Sequence, residues 1–172
     1  MKSAAARILV FTGDGKGKTT AAIGLALRSL AYGKRAFLAQ FCKKSPSGEV
    51  DFLAKMPGMK IIQSSQGMTP APGHPDFPLH VQAAGELFAA AVAARDCDTI
   101  ILDEICVAAS RGLIPLERIV SFALSLEAEK TLVMTGRDAP PDLIAVADTV
   151  TGMSCLKHAF ARGLAAQAGV EF

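Results

Sequence analysis

The chain has 172 residues, 51% of them hydrophobic, and its 18 basic and 16 acidic side chains give a formal charge of +2. We expect one globular domain over residues 1–172, because this length and hydrophobic content suffice for a full core. The near-neutral charge provides no broad basic face for nucleic acid. No apolar run reaches membrane-spanning length and no secretory segment is evident, so the sequence predicts a cytoplasmic protein that binds neither nucleic acid nor membrane.

Short apolar runs alternate with helical patterns along the chain. The runs predict β-strands at 7–12, 35–41, 59–64, 98–104, 131–136 and 148–153. Segments with helical spacing lie between most of these strands, at 19–32, 79–95, 115–128 and 140–147. Strands that are apolar throughout are typical of sheets covered on both faces. The sequence therefore predicts an α/β fold with a mainly parallel sheet of about six strands flanked by helices.

A glycine-rich segment, GDGKGKTT at 13–20, connects the first strand to the first helix. Glycines in that setting let backbone amides turn inward around phosphates, and the helix start adds its positive end. Lys18 is expected to reach the terminal phosphates and Thr19 to ligate magnesium. The usual spacing of such a phosphate-binding loop, or P-loop, is G-x-x-x-x-G-K-[ST], which would place its first glycine at Thr12 and not at Gly13. The alternative interpretation is therefore a glycine-rich turn that binds no ligand. The predicted nucleotide-binding residues are Gly13, Asp14, Gly15, Lys16, Gly17, Lys18, Thr19 and Thr20.

Two acidic residues end the fourth predicted strand, in TIILDE at 99–104. Asp103 and Glu104 are expected to bind magnesium or its water shell, since carboxylates follow a buried strand in many P-loop proteins. The alternative is that both are solvated caps of the strand.

Basic residues follow two other predicted strands. Arg137, in TGRD, follows the fifth strand, where a guanidinium can reach a phosphate. A surface ion pair is the alternative for this arginine. Lys43 and Lys44 follow the second strand and are interpreted as a solvated basic turn and not as a substrate clamp.

The segment SSQGMTPAPGHPDFPLH, at 64–80, contains four prolines and two glycines and predicts a long irregular loop with a functional role. Its histidines, His74 and His80, lack the further ligands that a zinc site needs. The cysteines are Cys42, Cys97, Cys106 and Cys155. Their wide separation predicts free thiols, because neither a zinc ribbon nor a disulfide framework has this spacing.

Longer stretches carry a family pattern. They are GDGKGKTTAAIG (13–24), AQF (39–41), ILDE (101–104), GLIPLERIV (112–120), TGRDAPPDLIAVADTV (135–150) and KHAFARGLAAQAGVEF (157–172). In this order, from about residue 7 to the carboxyl end, they closely resemble the P-loop class of ATP:corrinoid adenosyltransferases. The resemblance accounts for the shifted glycine, because this class has a variant P-loop, and it implies a P-loop NTPase-like (RecA-like) fold.

The resemblance implies that Co(I) of a reduced corrinoid attacks the 5′ carbon of ATP, forms a cobalt–carbon bond and expels tripolyphosphate. Lys18 and Arg137 would stabilise charge on the leaving group. Thr19, Asp103 and Glu104 would hold Mg²⁺. The triphosphate is expected to lie in the reversed sense relative to ordinary P-loop enzymes. The implied partners are ATP, the corrinoid, a cytosolic electron donor such as a flavoprotein, and a second copy of the chain in a homodimer.

The chain departs from this family in the loop 64–80, where relatives carry large aromatics against the lower face of cobalt. Here GMTP supplies Met68 and Pro70, and Phe77 is the only aromatic within the loop. We expect Met68 and Phe77 to bind the corrinoid, with ordinary packing as the alternative. Relatives often have a longer amino-terminal arm, so a partner subunit is expected to cover the corrinoid.

Two other classes stay open on the sequence. A P-loop kinase or ATPase acting on a small metabolite would release ADP or phosphate instead of tripolyphosphate. A non-catalytic member of the family would bind a corrinoid without turnover, which the missing loop aromatics suggest.

Overall fold

A computed structural model of the chain describes residues 5–44 and 48–170. Its strands are β1 (Arg7–Thr12), β2 (Ala36–Gln40), β3 (Met59–Gln63), β4 (Thr99–Asp103), β5 (Thr131–Thr135) and β6 (Thr149–Gly152). Its helices are α1 (Lys18–Ala31), α2 (Gly48–Leu53), α3 (Phe77–Ala93), α4 (Ile105–Ser110), α5 (Leu116–Leu124) and α6 (Pro141–Val146), followed by a 3₁₀ turn at Ala159–Arg162. All six strands predicted from the sequence are confirmed.

The strands form one sheet in the order β3-β2-β4-β5-β1-β6, and every pair is parallel. The predicted α/β fold with a parallel six-stranded sheet is therefore confirmed. Parallel pairing brings all the strand carboxyl ends to one edge, where ligands bind in open α/β sheets. The segments after β1, β2, β4, β5 and β6 consequently meet at that edge.

Side chains alternate between two hydrophobic cores along each central strand. In β4, Ile100 and Leu102 pack with α3 to α6 on one face, while Ile101 packs with α1 on the other. All three are 0% exposed. Each contributes about 1.5–3 kcal/mol through burial, and this double burial is why the strand reads as apolar throughout.

The helices differ from the sequence-based prediction mainly in their bounds. The helices α2 and α4 were not predicted, because six residues are too few to show a helical period. The helix α5 ends at Leu124, not at residue 128, since the chain turns back there toward β5. The helix α3 begins at Phe77, so the irregular loop covers 64–76; Pro78 fits the first turn, where no amide proton is needed.

Two predicted absences concern the described part of the chain. Within residues 5–44 and 48–170, no helix combines the length and apolarity needed to cross a bilayer. All four cysteines lie within the described residues and are free thiols there.

Candidate active site at the carboxyl edge of the sheet

The glycine loop between β1 and α1 is shaped by steric contact with the segment after β6. Gly13 has φ of 100° and Gly17, which caps α1, has φ of 115°, a region that favours glycine. A Cβ on Gly13 would lie 2.4 Å from the Met153 carbonyl oxygen, and one on Gly15 would lie 2.7 Å from it. Thr12, by contrast, is the last residue of β1 and is extended, so the shifted glycine spacing follows from where the loop bends.

The loop encloses the side chain of Lys18. The ammonium donates to the Gly13 carbonyl at 2.7 Å and to the Gly15 carbonyl at 2.6 Å, and the residue is only 8% exposed. Burial is the main cause that lowers the pKa of Lys18, partly opposed by the nearby Glu104 carboxylate. An ammonium has three donors, so one proton is left for an anion in front of the loop.

Asp103, at the end of β4, is the centre of a buried hydrogen-bond network. Its Oδ1 accepts from the Thr19 hydroxyl at 2.8 Å and from the Thr135 hydroxyl at 2.7 Å. Its Oδ2 accepts from Gln40 Nε2 and from Lys43 Nζ, both at 3.1 Å. Asp103 is 0% exposed, which excludes the alternative of a solvated cap for this residue.

Glu104 occupies the turn directly after that strand. It adopts a left-handed conformation with φ of 64°, and its backbone amide donates to the Thr135 hydroxyl at 2.9 Å. Burial, followed by the adjacent Asp103 carboxylate, raises the pKa of Glu104. Its half-buried side chain lines the cleft in front of the glycine loop.

The oxygen atoms of Thr19, Asp103 and Glu104 fit a magnesium ion chemically. Mg²⁺ takes oxygen ligands and is usually held by one or two carboxylates together with substrate phosphates. Within the described residues, no group of three or more His, Cys, Asp or Glu could hold a metal ion. A cation, the Lys43 ammonium, already contacts both Thr19 and Asp103.

A cleft of about 1420 Å³ lies above these groups. Among the predicted nucleotide-binding residues that line it are the exposed Asp14, Lys16, Thr20 and Arg137. The tail after β6 forms another wall, with His158, Phe160 and Val170. Asp14 also accepts from the Cys155 amide at 3.2 Å, so the loop and the tail are joined at two places.

The structure corrects the interpretation of Lys43 as part of a solvated turn. Lys43 lines the cleft and forms an ion pair with Asp103, whereas Lys44 is exposed. Sequence reasoning also missed Gln40, which is 0% exposed and accepts from Gln63 Nε2 at 2.9 Å. A polar residue ending an otherwise apolar strand was the available signal, but only the register of β2 beside β4 reveals its partner.

The two residues predicted to bind the corrinoid occupy different environments. Met68 is 89% exposed on the loop 64–76, which is anchored by the Thr69 carbonyl accepting from Arg111 at 3.0 Å. Phe77 is not in the loop. It is the first residue of α3 and packs against the core that lies between the sheet and the helices α3 to α6. The structure thus supports the packing alternative for Phe77 and leaves Met68 free to meet a ligand.

The parallel sheet, the glycine loop before α1 and the acidic end of β4 define a P-loop NTPase-like nucleotide-binding protein. The fold is similar to that of a KaiC-like protein from Pyrococcus horikoshii, with a TM-score of 0.57 and 16% identity over 90% of this chain and 75% of that one. It is also similar to the flagellar accessory protein FlaH from Methanocaldococcus jannaschii, with a TM-score of 0.57 and 13% identity over 87% of this chain and 71% of that one. These similarities establish the fold alone.

Sequence comparison narrows this class to one family. Residues 4–172 match the family model of ATP:corrinoid adenosyltransferase BtuR/CobO/CobP. The corrinoid adenosyltransferase of Pseudomonas aeruginosa is 36% identical over 168 residues, covering 96% of this chain and 83% of the relative. That of Escherichia coli K12 is 34% identical over 169 residues, covering 96% and 85%. The chain belongs to the ATP:corrinoid adenosyltransferase family and is a transferase, which confirms the resemblance seen in the sequence.

Proposed function

We propose that this chain transfers the 5′-deoxyadenosyl group of MgATP to Co(I) of a reduced corrinoid and releases tripolyphosphate. One observation carries the proposal: in a chain that matches the family over residues 4–172, the P-loop and the Asp103 network border the same cleft. The cobalt electron pair forms the new bond to C5′, and the C5′–oxygen bond breaks with its electrons leaving on the tripolyphosphate.

The phosphate-binding end of the cleft stabilises the leaving group. Lys18 and Arg137 are the catalytic residues in this proposal, because their charges face the cleft in which the tripolyphosphate would gain negative charge. The amino end of α1, a 14-residue helix, adds a positive partial charge at the same place. Removing one preorganised donor of this kind typically costs about 10²–10³-fold in rate.

Thr19, Asp103 and Glu104 are proposed to hold Mg²⁺ with the triphosphate. When bound, Mg²⁺ neutralises phosphate charge as a Lewis acid. The Gln40 and Thr135 donors keep the Asp103 carboxylate oriented toward Thr19. The reversed sense of the triphosphate along the P-loop remains part of this proposal.

The corrinoid would lie against the loop 64–76 and contact Met68. Because Co(I) is a strong nucleophile, the protein has to align it with C5′ and exclude water, and no general base is required. Glu104 therefore serves metal or nucleotide positioning in this proposal. In a hydrolase, the same carboxylate would be placed to activate water.

Two partners complete the proposal. A cytosolic electron donor such as a flavoprotein would supply the electron that converts Co(II) to Co(I). A second copy of the chain would cover the corrinoid in a homodimer, and the apolar side chains that the tail exposes support this, with Leu156 96% and Phe160 83% exposed.

The test is a product analysis. The protein is incubated with MgATP and a chemically reduced corrinoid, and we expect a light-sensitive alkylcobalt product together with tripolyphosphate. Accumulation of ADP or orthophosphate would identify a kinase or an ATPase instead. Corrinoid binding without any turnover would identify a non-catalytic member of the family, and either result would overturn the proposal.

A further inference from the structure

The inference concerns Lys43, which follows β2 and whose side chain turns back into the cleft. The chain bends at Cys42, which has φ of 57°, and this brings the Lys43 ammonium over the end of β4. Lys43 Nζ lies 3.1 Å from Asp103 Oδ2 and 3.3 Å from the Thr19 hydroxyl oxygen. Its ammonium therefore contacts two of the three groups proposed above to hold Mg²⁺.

The charge of Asp103 explains why a cation is held there. Asp103 is 0% exposed, and removing a buried carboxylate from its cation is strongly destabilising. The Lys43 side chain is 38% exposed, so the lysine keeps contact with the open cleft and has room to change its rotamer. Lysine has a flexible four-carbon stem, which suits a group that changes partners.

The ammonium and a divalent cation compete for the same oxygens. Both are positive, and in a partly buried site their repulsion at contact distance is much stronger than in water. A magnesium ion bound to Thr19 and Asp103 would therefore push Lys43 away. The displaced ammonium stays within the cleft, where a triphosphate offers it new acceptors.

We propose that Lys43 is the resident counter-ion of the magnesium site. It neutralises Asp103 in the nucleotide-free chain, and it moves to the triphosphate when MgATP binds. This inference rests on the proposed function only in taking MgATP as the ligand. The consequence is positive coupling between the binding of Mg²⁺ and the binding of ATP. The metal binds weakly without the nucleotide, because the Lys43 ammonium that it displaces then has no phosphate to contact.

The test compares Lys43→Met with Lys44→Met, in which the neighbouring exposed lysine is changed in the same way. Thermal unfolding and calorimetric titration with MgCl₂ alone, without nucleotide, are measured first. We expect the Lys43→Met chain to melt at a lower temperature than the unchanged protein, to recover on adding MgCl₂, and to bind Mg²⁺ at least about tenfold more tightly. The Lys44→Met chain should match the unchanged protein.

Nucleotide binding supplies the second readout. At saturating MgCl₂, ATP should bind about tenfold more weakly to Lys43→Met, because a phosphate contact is lost. Lys43→Gln, which keeps a hydrogen-bond donor without the charge, should show the same tighter binding of Mg²⁺ and serves if Lys43→Met fails to fold. Equal Mg²⁺ affinity in the unchanged and charge-neutral chains would overturn the inference and leave Lys43 as a structural ion pair. Because these titrations use no corrinoid, a failure of the proposed transferase reaction would be seen separately.

Discussion

The phosphate end of the cleft and the surface proposed for the corrinoid are built in contrasting ways. At the phosphate end, Asp103 is 0% exposed and accepts from four donors, and the glycine loop fits against Met153 without room for a Cβ. On the surface proposed for the corrinoid and its covering subunit, Met68 and Phe160 are 89% and 83% exposed. The phosphate end is held in place by the sheet, whereas the second region consists of a loop and a tail whose apolar side chains are open to solvent.

The largest expected difference between the two regions is in the reactivity of their thiols, Cys106 and Cys155. Burial raises the pKa of Cys106, at the start of α4 behind the phosphate end, to about 12, while Cys155 in the tail is exposed. Compared with the ordinary value of 9.0, such a shift lowers the reactive thiolate about a thousandfold. Alkylation with iodoacetamide near neutral pH, followed by peptide mass spectrometry, should label Cys155 and leave Cys106 unmodified until the chain unfolds. Equal labelling of the two thiols in the folded protein would contradict the contrast.

Lys18→Ala should remove most of the catalytic contribution of the phosphate end. We expect kcat/KM for adenosylation to fall about 10²–10³-fold, because a preorganised positive group at the leaving phosphates is lost. Lys34→Ala, which removes an exposed lysine after α1, is the matched control and should leave the rate unchanged. Circular dichroism checks that both variants fold, and normal activity of folded Lys18→Ala would refute the P-loop assignment.

Gly13→Ala and Gly24→Ala should separate steric fit from helix propensity. Alanine at Gly13 would combine a φ of 100° with a 2.4 Å approach to the Met153 carbonyl oxygen, so we expect a loss of at least about 2 kcal/mol in the free energy of unfolding. Gly24 lies in α1 with nothing within 4 Å of an added Cβ, and alanine there should stabilise the chain by about 0.5–1 kcal/mol. Urea denaturation measures both, and equal midpoints would show that the loop can move away from the tail.

The smallest expected effect is that of Met68→Trp on the reduction of Co(II), at the surface proposed for the corrinoid. A large aromatic at this position would crowd the lower face of the bound corrinoid and displace the axial ligand of cobalt, so we expect Co(II) in the ATP-bound protein to be reduced up to about tenfold faster. Met68→Leu, which keeps an aliphatic side chain of similar size, should behave as the unchanged protein. An unchanged Co(II) spectrum and reduction rate in Met68→Trp would place the corrinoid away from this residue.

Local sequence patterns predicted the strands and the glycine loop because each depends on neighbouring residues. Strand order did not follow from those patterns, since pairing joins distant segments such as β2 and β4. That is why Gln40 and Lys43 were missed as neighbours of Asp103, and why the tail was not expected against the P-loop. The length of the loop 64–76 was overestimated, because Pro78 reads equally as a loop residue and as the first turn of a helix.

The contact between the glycine loop and Met153 has a consequence for biosynthesis. Of the six strands, β1 is synthesised before the others, yet it pairs with β5 and β6, and the Gly15 amide donates at 2.7 Å to the Met153 carbonyl after β6. A nascent chain therefore has to hold the apolar strand β1 unpaired until β5 and β6 have also been synthesised. The supported form of the glycine loop is therefore reached only after residue 153 has been synthesised, which favours protection of β1 by a chaperone until then.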